Sequence, residues 1–135
     1  MPTEFSILRR VQFAETDMAG VAHFSSYFRW MEETEHAFFR SVGLSVVMQH
    51  EGIEIGWPRV SVACEYFAPA RFEDELELRL RVVRVGNKSF SYEVDFSKGD
   101  QKIALGKVTS ICCACRPNEG FKAIAIPTEI RAQLS

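Results

Sequence analysis

The chain has no apolar run long enough to span a bilayer. Its opening, Met-Pro-Thr-Glu-Phe-Ser-Ile-Leu-Arg-Arg, holds no apolar stretch of signal-peptide length. A cytoplasmic protein with no membrane partner is therefore the default expectation. Charge of one sign is also lacking. Sixteen Lys and Arg stand against 18 Asp and Glu, a net −2, and the pI is about 5.9. That argues against nucleic acid or an anionic membrane as the main partner. The four cysteines are Cys64, Cys112, Cys113 and Cys115. Three of them crowd one strand-like run, where neighbours point to opposite faces. This is poor geometry for a disulfide or a tetrahedral zinc site, so reduced, buried thiols are expected. There is no repeat, low-complexity segment or linker, and 135 residues make one domain over residues 1–135 the expectation. Strands and helices do not alternate, which excludes a doubly wound sheet.

What the chain does have is one long helical pattern among many strands. Phe5, Ile7, Val11 and Phe13 share a parity and predict a strand over about residues 4–13, with Arg9 interrupting its apolar face. From Ser25 or Ser26, a good N-cap, the residues Tyr27, Trp30, Met31, Thr34, Ala37, Phe38 and Ser41 recur at helical spacing. Phe28, Phe39 and Val42 widen the stripe, and Gly43 ends it. The spacing predicts a helix over 26–42 with Glu32, Glu33, Glu35, His36 and Arg40 on its polar face. Residues 44–58 are mixed. Val46, Val47 and Met48 read as buried, and Ile53-Glu-Ile55 as a short strand. From residue 59 the period is two. Val60, Val62, Cys64 and Tyr66 form one strand, and Leu76, Leu78, Leu80 and Val82 the next, with a bulge near 82–83. Phe90, Tyr92, Val94 and Phe96 form a third, and Ile103, Leu105, Thr109, Ile111, Cys113 and Cys115 a fourth. Turns fall at 86–88 and 98–100, and a short helix is expected over 127–134. This is an α+β order, with one helix whose broad apolar surface asks for a curved antiparallel sheet around it. One helix covers only one sheet face, so self-association is a natural expectation.

The stretch Phe13-Ala-Glu-Thr-Asp17-Met-Ala-Gly20-Val-Ala-His23-Phe24-Ser-Ser-Tyr27-Phe-Arg-Trp30-Met-Glu32 joins the first strand to the long helix. Gly20 supplies a backbone conformation that a side chain would resist. Asp17 has two readings. It is either a turn residue bonded to nearby N–H groups or a carboxylate facing a helix N-terminus, where it could attack an acyl group or activate water while backbone N–H groups hold the oxyanion. His36, four residues after Glu32, has the spacing of a metal pair. With no third ligand in the pattern, a solvated or interface pair is the simpler reading.

Taken in order, Thr-Asp17-x-x-Gly20, Tyr27, Trp30, Glu32, Gly43-Leu44, Gly56-x-Pro58, Ser61-x-x-Cys64, Asp74-x-Leu76, Lys88-Ser89-Phe90 and Ala125-Ile126-Pro127 resemble the hotdog-fold acyl-CoA thioesterases of the 4-hydroxybenzoyl-CoA thioesterase type. The resemblance covers nearly the whole chain. It implies a hotdog fold of one helix wrapped by about five antiparallel strands, a CoA thioester substrate and no metal or organic cofactor. It also implies a homodimer, commonly a dimer of dimers (a homotetramer), with active sites between subunits.

The resemblance further implies roles. Asp17 becomes nucleophile, through a mixed anhydride, or general base to water. The backbone N–H of Phe24 becomes the oxyanion donor, beside the simpler reading of Phe24 as core. Gly20, His23 and Tyr27 fall near the substrate. His23 stands one position before the His that some relatives carry, so a substrate-lining or supporting place suits it better than that of a base. Glu32 takes the place of an acid that meets a phenolic hydroxyl, one methylene longer here. Trp57 replaces a small hydroxyl residue between Gly56 and Pro58, which questions hydroxybenzoyl specificity unless the indole is simply core, and leaves an aromatic or a short- or medium-chain acyl group open. Lys88 and Ser89 take the place that holds CoA phosphates, with Arg59, Arg71, Arg79, Arg81 and Arg84 adding charge nearby. The readings that compete are an acyl-carrier-protein thioesterase and a non-catalytic acyl-CoA-binding protein. A hotdog dehydratase lacks its helix-borne His here.

Overall fold

A computed structural model describes residues 4–135. Strand β1 (Glu4–Arg10) leads through a 3₁₀ turn (Phe13–Glu15) to the helix α1 (Ser26–Ser41). A hairpin of β2 (Met48–His50) and β3 (Ile53–Gly56) follows. Then come β4 (Arg59–Tyr66), β5 (Glu75–Val85), β6 (Ser89–Lys98), β7 (Gln101–Ile111), β8 (Cys113–Arg116), β9 (Gly120–Ala123) and α2 (Thr128–Leu134). The main sheet has the order β1-β5-β6-β7-β4, and a smaller one the order β2-β3-β8-β9. All pairings are antiparallel. The two sheets are near-continuous, since β3 runs into β4 past Pro58 while β7 runs into β8. One long helix on a curved antiparallel sheet is the hotdog arrangement. Among the described residues no helix is long and apolar enough to cross a membrane.

The inner sheet face follows the period-two reading for β5 and β6. Leu76, Leu78, Leu80, Phe90, Val94 and Phe96 are fully buried, and Tyr92 nearly so. The expected bulge appears as a register shift between Val82 and Arg84. On α1, Tyr27, Trp30, Met31, Phe38 and Phe39 face this sheet. Gly43 closes the helix at φ +82°.

Several expectations fail for identifiable reasons. In β7 the buried alternation is Ala104, Gly106, Val108 and Ser110, the parity opposite to Leu105, Thr109 and Ile111. Here Met31 of α1 presses on the strand. A Cβ on Gly106 would stand 2.1 Å from the Met31 sulfur, so only small side chains fit inside. Apolar size therefore pointed to the wrong face. Phe13 leaves the strand for the 3₁₀ turn and is exposed against Phe72, ring centroids 5.8 Å apart. Val47 is exposed on the β2–β3 side. Ser25 occupies the N-cap position but makes no capping bond, because its Oγ pairs with His23 Nδ1 at 2.7 Å. Glu35, placed on the polar face by spacing, is wholly buried. Strand β4 is one edge of the main sheet, and Val60, Val62 and Tyr66 are exposed along it.

Candidate active site

Asp17 sits in a tight turn between β1 and α1. Its Oδ1 accepts from the Ala19 N–H at 2.9 Å and the Val21 N–H at 3.4 Å. Its carbonyl accepts from Gly20 N–H at 2.9 Å. The chain returns on itself there, and Gly20 takes φ +81°, where a side chain is strained. These bonds leave Oδ2 uncommitted among the described residues. The turn opens on a cleft of about 390 Å³ lined by Asp17, Val21, Ala22, Phe24, Tyr27, Tyr66, Ala68 and Pro69. The Phe24 N–H has no acceptor among the described residues. Its carbonyl is tied down, accepting from the Tyr66 hydroxyl at 3.0 Å. A carboxylate oxygen and a free N–H at a helix start therefore border one cleft. That pairing suits attack at a carbonyl carbon with stabilisation of the oxygen.

Glu15 fixes this arrangement. Its carboxylate accepts from Arg9 Nη2 at 2.5 Å, Trp30 Nε1 at 3.0 Å and the Gln12 N–H at 2.8 Å. Its carbonyl accepts from the His23 N–H at 2.8 Å and the Ser26 hydroxyl at 2.9 Å. Arg9 also reaches Glu33 at 2.7 Å and lies 5.8 Å from the Trp30 ring centre. Burial alone would raise the Glu15 pKa. The Gln12 N–H, the Trp30 indole and Arg9 outweigh it and hold the carboxyl below its ordinary value. One residue thus joins strand, turn and helix start, and its carboxylate is fully engaged. Sequence reasoning missed this role. The signal was Arg9, whose charge on an apolar face needed a partner.

The other sequence-predicted residues divide. Tyr27 is buried in the cleft wall, packed edge-on to Trp30, Tyr66 and Phe96 at 5.0, 4.9 and 5.3 Å. His23 is exposed and stacks on Phe24 at 4.5 Å, beside the cleft rather than lining it. The Phe24 ring is exposed, not core. Glu32 borders a second pocket, of about 250 Å³, with Phe28, Met31, Arg59, Val62, Tyr92 and Val108. The Trp57 side chain lines neither pocket. It is core, edge-on to Phe39 at 6.0 Å and Phe90 at 6.2 Å. Lys88 and Ser89 lie at the β5–β6 turn, while the Asp17 loop meets the other end of β5 through Val11 and Asp74. β5 has 11 residues, so its ends stand about 34 Å apart at the usual rise, and one chain does not bring them together. Arg79 and Arg81 are paired with Glu77, Glu93 and Asp95 and are not free cations. His36 is half-buried, and among the described residues no cluster of three His, Cys, Asp and Glu side chains could hold a metal.

Buried polar groups gather beyond the second pocket. Glu35 Oε1 bonds Arg59 Nη2, and its Oε2 has no partner among the described residues. Burial pushes the Glu35 carboxyl up to about 7; Arg59 opposes this and Glu32 adds to it.

Residues 19–105 match the family model of the thioesterase superfamily. The chain belongs to that superfamily. A 1,4-dihydroxy-2-naphthoyl-CoA hydrolase of Prochlorococcus marinus is 30% identical over 82% of this chain and 76% of its own. The 4-hydroxybenzoyl-CoA thioesterase of Pseudomonas sp. is 25% identical over 96% of both chains. A solved structure from Aquifex aeolicus is 31% identical, covers 97% of this chain and 99% of its own, and superposes with a TM-score of 0.84. This thioesterase is thus a thioester hydrolase of the acyl-CoA thioesterase family with the hotdog fold.

Proposed function

We propose that this thioesterase hydrolyses an aromatic acyl-CoA to the free acid and CoA, residues 1–135 acting as a single domain. Asp17 is the nucleophile or the general base to water, and the Phe24 N–H stabilises the oxyanion. The observation that carries this reading is the shared cleft of the Asp17 carboxylate and the unengaged Phe24 N–H. In either mechanism the carbonyl carbon becomes tetrahedral and the C–S bond then breaks. The thiolate of CoA leaves and takes a proton; on the nucleophilic path water then opens the Asp17 mixed anhydride, releasing the free acid and restoring the carboxylate. Loss of one oxyanion donor typically adds on the order of 3 kcal/mol to such a barrier. A side-chain change at Phe24 leaves its N–H in place, so Asp17 is the informative position.

A dimer completes the reading. The edge of β4 is unpaired among the described residues and carries exposed Val60 and Val62. The cleft lies at its Tyr66 end and the Glu32 pocket at its Arg59 end. Antiparallel pairing of two β4 edges about a two-fold axis near Val62 sets one chain's cleft against the other's pocket. The acyl ring then occupies the pocket of one subunit while its carbonyl meets Asp17 of the partner subunit. The same pairing offers a route for Lys88 to reach a CoA phosphate that it cannot reach within one chain. The aromatic substrates named for the two relatives favour an aromatic acyl group over an alkyl one.

Purified protein is assayed for thiol release from aromatic, naphthoyl, short- and medium-chain acyl-CoAs beside Asp17→Asn. The expected result is turnover of the aromatic class and a kcat lower by roughly 10²–10⁴ in the variant. Full activity in Asp17→Asn removes the catalytic assignment. Turnover of acyl-carrier-protein thioesters alone selects the carrier-protein reading, and acyl-CoA binding without turnover selects the binding protein.

A further inference from the structure

The turn that carries Lys88 is held from the far end of the chain. Helix α2 seats Ile130 and Leu134 in the core. Gln133 ties it to the end of α1, donating to the Val42 carbonyl at 2.9 Å. Arg131 lies between these anchors and reaches the β5–β6 turn. Its Nη1 donates to the Val85 carbonyl at 3.0 Å. Its Nη2 donates to the Gly86 carbonyl at 2.6 Å and the Asn87 carbonyl at 3.1 Å. Three successive carbonyls therefore converge on one guanidinium.

That convergence decides where the N–H groups go. The peptide bonds are trans, so each N–H points opposite to the carbonyl of its own plane. With the carbonyls gathered on Arg131, the N–H groups of Gly86, Asn87 and Lys88 turn away from it. The Gly86 N–H closes the hairpin on the Ser89 carbonyl at 2.8 Å. Those of Asn87 and Lys88 have no acceptor among the described residues, and both residues are exposed. Successive free N–H groups on a turn make a concavity that binds anions, and Lys88 adds an ammonium beside it.

The two peptides are not held alike. The Asn87 carbonyl has a second donor, the Ile126 N–H at 2.8 Å. The Gly86 carbonyl has Arg131 alone among the described residues. A glycine meets little steric resistance to backbone rotation. Were the Gly86–Asn87 peptide to flip, it would show an anion a carbonyl oxygen in place of an N–H. Arg131 is the contact that opposes this flip.

We propose that Arg131 is a positioning residue for the phosphate-bearing end of the substrate. It fixes the Gly86–Asn87 peptide so that the Asn87 and Lys88 N–H groups receive a CoA phosphate together with the Lys88 ammonium. Arg131 itself faces the carbonyl side of the turn and touches no ligand. The inference rests on the acyl-CoA reading above and on the place it gives Lys88. It adds a residue that no motif singled out.

The test compares one acyl group on CoA and on pantetheine, which lacks every phosphate of CoA. The readout is the ratio of the two kcat/KM values in the wild type, Arg131→Gln, Arg131→Lys and Lys88→Ala, with thermal melts to establish folding. Arg131→Gln is expected to lower the ratio about tenfold, the scale of a hydrogen bond to a charged group. Arg131→Lys keeps the charge but loses the fork that spans three carbonyls, and is expected to lower it as well. The change is expected in KM for the CoA thioester, with kcat for both substrates within about twofold of wild type, since the reacting carbonyl is untouched. An equal loss on both thioesters would assign Arg131 a merely structural role and overturn the proposal. A full ratio in Arg131→Lys would overturn it too, because charge and not the fork would then act. An unchanged ratio in both folded Arg131 variants, beside a lowered one in Lys88→Ala, overturns the proposal and leaves the phosphate reading of Lys88 standing. If no thioester is hydrolysed, the function itself fails. Calorimetry with free CoA then carries the test: the Kd rises about tenfold in the Arg131 variants, or the proposal falls.

Discussion

Glu15 separates two acids that the sequence sets side by side. Asp17 keeps an oxygen free toward a cleft, while Glu15 spends both of its oxygens on Arg9, Trp30 and Gln12. Glu15→Gln keeps an acceptor for one N–H but loses the charge opposite Arg9. It is expected to lower kcat about tenfold and to move KM little, because the helix start shifts against Asp17 without loss of the pocket. Steady-state kinetics beside a thermal melt check this. An activity loss that merely follows unfolding would refute it. Glu35 makes the stability depend on pH. Its folded pKa, about 7, stands above the ordinary 4.5, through burial first and Glu32 second, against the pull of Arg59. The folded state then holds the proton more tightly than the unfolded one. Stability is fully present below pH 4.5 and falls as pH rises toward and through about 7. The shift corresponds to on the order of a few kcal/mol. Thermal melts from pH 5 to 8 are expected to show this decline in the wild type and a flatter profile in Glu35→Gln.

At the scale of elements, α1 and β7 meet so closely that residue size sets the face. Gly106 lies under Met31, and a methyl group there would collide with the thioether. Gly106→Ala is expected to destabilise the fold by about 1–3 kcal/mol, read as a lower urea midpoint at unchanged slope. A neutral result would mean that Met31 swings aside freely. The same contact explains why the alternation of β7 misled while those of β5 and β6 did not. Large apolar residues mark an inner face only where the neighbouring layer leaves room. Helix α1 was legible from Tyr27 to Gly43, and its end matches the expected one within a residue. Its start was legible in position but not in chemistry, because Ser25 bonds His23 instead of capping.

At the scale of the molecule, the β4 edge is open among the described residues, with Val60 and Val62 exposed along it. Exposed apolar edges of this kind invite pairing. Val62→Asp places a charge where two edges would meet. Sedimentation is expected to shift from dimer toward monomer, with hydrolysis lost in step, since cleft and pocket would come from different subunits. A variant that sediments as a monomer and retains full turnover would show that one chain carries a complete site.

The sequence by itself determined the strands β1, β4, β5 and β6, the single long helix, the hotdog class and the Asp17 turn. These depend on period, turn residues and ordered motifs, all local along the chain. Tertiary structure alone decided that Glu15 is a strut, that Trp57 is core and that Glu35 is buried against Arg59. It also set Lys88 at the far end of the sheet from Asp17. Such facts depend on which residues distant in sequence become neighbours. Spacing assigns a residue to a face, but only packing decides whether that face meets water, a carbonyl or an opposite charge.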